Sequence, residues 1–143
     1  MSSVSLSVKD IFDEKLNMSY VNILKAGTDH TIWMKGLEFY RDELDLMAKR
    51  LLDISQKNNV EEATKGVEHF QNQFFIQKKN VSDMKHDVRN FVKGLSHDAK
   101  EHGGHVDEVY VKQGKTLKER YEQLEQIMNS LRKEFNEYLS KWM

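Results

Sequence analysis

The chain has 143 residues, 22 of them Lys or Arg and 23 Asp or Glu, for a formal charge of -1, with no cysteine and no proline. That length suits one domain over residues 1–143 whose core needs no staple, and the missing thiols exclude disulfides, thiolate zinc sites and thiol catalysis. Balanced charge offers no field to draw nucleic acid, and without about 18 successive apolar residues or a cationic leader the expectation is a cytoplasmic protein with no membrane contact.

Proline removes a helix donor and clashes with the preceding turn, so its absence permits long helices everywhere. Ser7 can cap a first, shorter helix over about 8–26, with Val8, Phe12, Leu16, Tyr20 and Ile23 on one face. Gly27 suits the left-handed residue that ends such a helix. A second helix, about 29–56, then starts at Thr28 or Asp29. Its seam is Trp33, Leu37, Tyr40, Leu44, Met47, Leu51 and Ile54, spaced alternately four and three. Asn59 with Glu62 makes a capping box for a third helix that begins near residue 60 and ends at about 96 or 102.

The seam of that third helix is Val60, Ala63, Val67, Phe70, Phe74, Val81, Met84, Val88, Phe91 and Leu95, interrupted only by Gln77. A buried amide there would fix register at a cost in stability. Gly36, Gly66 and Gly94 each immediately precede a seam residue and read as places of close helix approach, at about 1 kcal/mol each in helix propensity. The fourth helix, about 106–142, repeats the period through Tyr110, Gly114, Leu117, Tyr121, Leu124, Met128, Leu131, Phe135, Tyr138 and Trp142.

The pattern predicts an all-α fold: an antiparallel up-down bundle of three long helices with coiled-coil-like packing, plus the shorter N-terminal helix. At about 1.5 Å per residue the third helix is roughly 50 Å long, so the molecule is a rod. The first helix has two berths. It can fold back at Gly27 onto the second, covering Ile32, Phe39 and Leu46, which recur every seven residues outside the main seam. Alternatively it continues end to end with the second helix and leaves that stripe for a second copy or another partner.

Chemistry is thin. There is no Gly-rich phosphate loop, no His-Glu-x-x-His and no nucleophile elbow. A di-iron carboxylate site needs two Glu-x-x-His motifs, and the chain offers only Asp83-x-x-His86, with His86 on the outer face. His30, and His102 if the third helix extends that far, would point inward by register but fall about 25 Å apart along the bundle, too far to share an ion. The local alternative is a surface metal site from His97, Glu101, His102 and His105 in the turn before the last helix, set against a plain polar turn. The basic residues Lys78, Lys79, Lys85, Arg89 and Lys93 lack the interleaved exposed aromatics of a single-strand binder.

Phe75 and Ile76 fall outside the core register, and loop pairing puts Ile76 level with Phe39. Ile32, Phe39, Leu46, Phe75 and Ile76 are therefore the candidate partner-binding residues, for a protein partner or a homodimer, with no cofactor. Three sequence stretches carry a resemblance: Thr31 to Lys35, Glu68 to Gln77 and Leu139 to Met143. Over about residues 28–143 the chain resembles small uncharacterised helical proteins of Bacteroidetes-type bacteria. The resemblance implies no activity, cofactor or binding residue. Three-helix spectrin-like repeats are an analogy of architecture, which does not transmit function. The expectation is a non-enzymatic bundle that binds protein.

Overall fold

The computed structural model describes the backbone of residues 8–101 and 108–143, and side chains of 28–98, 100–101 and 108–143. The chain is all-helical, with α1 at Val8–Lys57, α2 at Glu61–Glu101 and α3 at Glu108–Trp142, and there is no strand among the described residues. The expected cap at Ser7 and the Gly103–Gly104 turn lie outside the described residues, as do the side chains of the first expected helix.

Where four helices were expected, the described chain forms three. The separate helices at about 8–26 and 29–56 are one, because Gly27 sits inside the 50-residue α1 without ending it. A glycine in a helix interior costs about 1 kcal/mol against alanine. Stopping there would instead strand up to four carbonyls and four amides at the two new ends, and no proline is present to force the break. The fold-back berth at Gly27 is thereby overturned, and the end-to-end arrangement is the one α1 adopts.

The start of α2 also moves. The Thr64 amide donates to the Val60 carbonyl at 3.0 Å, so Val60 occupies the position just before the first turn, and its side chain is 53% exposed instead of joining the seam. Glu61 and Glu62 follow in the first turn, where the unpaired amides favour negative charge. At the other side of this connection Asn58 closes α1: its amide nitrogen and its Nδ2 both donate to the Ile54 carbonyl, and Nδ2 also reaches the Trp142 carbonyl at 3.2 Å. The end of α1 is thus tied to the end of α3.

Apart from Val60, the seams pack as their spacing requires. From Trp33 to Ile54 every seam residue of α1 is buried; on α2 so are Ala63, Phe70, Phe74, Gln77, Val81, Met84, Val88, Phe91 and Leu95. Leu117, Leu124, Met128, Leu131 and Phe135 answer them from α3, with Tyr110, Tyr121 and Tyr138 half-buried beside them. Gln77 is the one buried polar residue among those described, and its Oε1 accepts from Asn80 Nδ2 at 3.2 Å.

Cross-helix pairs set the order of the elements. Glu43 meets Arg132 and Asn58 meets Trp142, so numbering rises together on α1 and α3. Ala63 meets Tyr138 and Asp87 meets Arg120, so it runs in opposite order on α2 and α3.

Candidate functional site

All five candidate surface residues are exposed: Ile32 by 55%, Phe39 by 56%, Leu46 by 54%, Phe75 by 72% and Ile76 by 40%. Helix geometry divides them, however. At 100° per residue, the flank of α1 that turns to α2 carries Asp45, which pairs with Lys78, together with Ala48 and Leu52. Leu52 and Phe75 form the two lips of a groove of about 370 Å³ between α1 and α2, floored by Leu51, Val67 and Phe74. Ile32, Phe39 and Leu46 lie on the opposite flank of α1, beside Glu43 and toward α3. Matching levels along the axis does not bring Phe39 and Phe75 onto one face.

The α1–α3 flank is anchored by a forked ion pair. Arg132 Nε and Nη2 donate to the two carboxylate oxygens of Glu43 at 2.8 and 2.7 Å, and Nη1 donates to Asn129 Oδ1. Glu43 is only 15% exposed, and its hydrogen bonds hold the Arg132 guanidinium above its ordinary pKa. Deeper in, Tyr40 lies against Tyr121 with ring centroids 6.4 Å apart, and Trp33 is the same distance from Tyr121.

Burial, reinforced by Tyr121 and the Glu125 carboxylate, pushes Tyr40 from 10.0 up to about 12. Burial likewise raises Tyr121. The folded state therefore keeps a proton that the unfolded chain releases above pH 10, so this contribution to stability is complete below pH 10 and is lost as pH rises through about 12. Denaturant melts at pH 9 and pH 11 should show a fall in stability that is reduced in Tyr40→Phe; an equal fall in that variant would assign the slope to other groups.

Three half-buried glycines accept three tyrosines of α3. A Cβ on Gly36 would run into the Tyr121 hydroxyl, one on Gly66 into the Tyr138 ring, and one on Gly94 would come within 2.9 Å of Tyr110 Cε1. The sequence predicts close approach at these positions without naming the tyrosine partners. The signal was present, since Tyr110, Tyr121 and Tyr138 all occupy seam positions of the last helix.

The alternative metal site is only partly described. His97 Nε2 lies 3.0 Å from Glu101 Oε1, one turn along α2, while His102 and His105 fall outside the described residues. Among the described residues no three His, Cys, Asp or Glu side chains gather to hold an ion. His69 and His86 are exposed, His86 beside Asn90 at 3.0 Å, and His30 is half-buried. No helix among the described residues is long and apolar enough to cross a membrane. Comparison with family models, curated proteins and solved structures finds no match for the chain.

Proposed function

We propose that the chain is a non-enzymatic, cytoplasmic protein-interaction module: an up-down-up bundle in which α2 runs antiparallel to α1 and α3, and one flank of α1 is the binding surface. The opposed order of the α2–α3 pairs and the common order of the α1–α3 pairs support that topology. The resemblance to small Bacteroidetes-type helical proteins suggests a bacterial setting and adds no activity.

One observation carries the functional reading. Ile32, Phe39 and Leu46 recur every seven residues and are each more than half exposed, on a helix whose opposite seam is closed from Trp33 to Ile54. Single exposed apolar side chains are ordinary on protein surfaces. A row at heptad spacing is the pattern by which one helix engages another. The groove between Leu52 and Phe75 is a second, separate apolar feature.

Phe39→Ser and Phe75→Ser, made separately, test this and tell the two flanks apart. Phe39→Ser should keep helicity and stay within about 0.5 kcal/mol of the parent in stability, as exposed substitutions do, while losing association measured by light scattering over a range of concentrations. A clear loss of stability or cooperativity in Phe39→Ser would instead assign the stripe to the interior and end the proposal.

A further inference from the structure

We infer that the occupant of the Ile32–Phe39–Leu46 stripe is a second copy of this chain, with the two α1 helices packed antiparallel about a two-fold axis at Phe39. This rests on the interaction reading above and names its partner. The first helical segment cannot cover the stripe from within, because Val8–Lys57 is one unbroken helix.

The stripe is self-complementary in spacing. About an axis through Phe39, Phe39 faces its own mate and Ile32 faces Leu46 of the second copy. The seven-residue spacing drifts about 20° per repeat on a straight helix, the drift that lets two such rows follow one another in a left-handed supercoil.

The charges agree with the same axis. In an antiparallel pair each flank of a helix meets the same flank of its mate, and a two-fold axis duplicates every contact. One flank carries Lys35 and Asp42, both exposed, and the axis sets Lys35 against Asp42 of the second copy. The other carries the half-buried Asp29 and the exposed Arg50, which oppose each other in turn. Glu43, already held by Arg132, comes level with Gly36 of the second copy, where the uncharged Tyr121 side chain of that copy fills the space. Lys49 faces the uncharged Thr28. No like charges are opposed at these positions. Asp42 lies 3.6 Å from Arg41, with both side chains more than half exposed, a contact weak enough to exchange.

Three side chains spread over about 21 Å of helix offer less than the ~800 Å² per partner of a standard stable interface. The pairing is accordingly reversible, with half-association at roughly 10–500 µM chain.

Sedimentation equilibrium of the full chain across that range should show a monomer–dimer equilibrium. Asp42→Lys should weaken it at least about 10-fold, a change of 1.4 kcal/mol, because Lys35 then meets lysine twice. Adding Lys35→Asp to that variant should restore it. Since the chain has no cysteine, single replacements report the direction. Ile32→Cys mixed with Leu46→Cys should form a disulfide between chains on oxidation, whereas Leu46→Cys alone should not, its two copies lying about 21 Å apart. A disulfide between two Leu46→Cys chains, or no recovery on charge exchange, would overturn the arrangement. A chain that stays monomeric throughout, with Phe39→Ser still fully folded, would overturn the second copy as occupant while leaving the wider binding reading in place. Destabilisation of Phe39→Ser would end both.

Discussion

Phe135→Ala is expected to lower the free energy of unfolding by about 4 kcal/mol, within the 3–5 kcal/mol range for phenylalanine deletions in a closed core. Phe135 is 0% exposed, and its ring stands edge-on to Phe70 and Phe74, with centroids 5.2 Å away in each case. Tyr138 lies alongside at 6.3 Å. These rings come from α2 and α3 and meet near the end of the bundle where Asn58 joins α1 to Trp142. A cavity there would be walled by Phe70, Phe74 and Tyr138, whose rings still hold one another at 6.0 and 5.0 Å and whose Tyr138 hydroxyl is tied to Ala63, so the site collapses little and the loss is not relieved. Urea unfolding followed by circular dichroism measures it. Phe75→Ala, at a residue 72% exposed, is the matched comparison and should change stability by no more than about 0.5 kcal/mol.

Gly66→Ala should destabilise by about 1–3 kcal/mol, the cost of forcing an extra carbon into a filled site. The sign is what makes this informative, because glycine to alanine inside a helix ordinarily gains about 1 kcal/mol. At Gly66 the added Cβ would sit 2.7 Å from Tyr138 Cζ and 2.9 Å from its hydroxyl. That ring cannot simply swing aside, since its hydroxyl donates to the Ala63 carbonyl at 2.6 Å and it packs tilted against Phe70 with centroids 5.0 Å apart. Gly114→Ala provides the contrast, because its nearest neighbour would be the Phe91 ring edge at 3.3 Å, and a small shift there leaves the propensity gain nearly intact. In the background of Tyr138→Ala the cost of Gly66→Ala should vanish, a coupling that a double-mutant cycle reads directly. Equal effects in both backgrounds would place the strain elsewhere.

Most of the interior was legible from spacing alone. Alternating steps of three and four put Leu37, Leu44, Val88 and Met128 on inner faces, and all four are 0% exposed. The period works because burial of a stripe is the main thing that holds long helices together. Gly27 was not legible, because a glycine's local signal is the same whether it ends a helix or is tolerated within one. Val60 misled for a related reason: it continues the period, yet a helix boundary falls just after it. For the candidate surface, exposure followed from register, whereas the grouping of Phe39 with Phe75 did not. Loop pairing compares heights along neighbouring helices and carries no information on which way round a side chain points. Helix azimuth separates the stripe beside Glu43 from the groove beside Asp45.

Heptad repeats share one weakness: sliding a helix by seven residues again puts apolar against apolar, so the oily rows alone permit several axial alignments. The tyrosines of α3 break that degeneracy. Tyr110 and Tyr138, 28 residues apart, enter the notches at Gly94 and Gly66, also 28 apart on α2, and Tyr121 enters the one at Gly36 on α1, so a slide by one heptad takes all three rings off their notches. The bundle thus carries a lock-and-wards alignment code of its own, and any ring that misses its notch would meet a Cβ where the matching position has none.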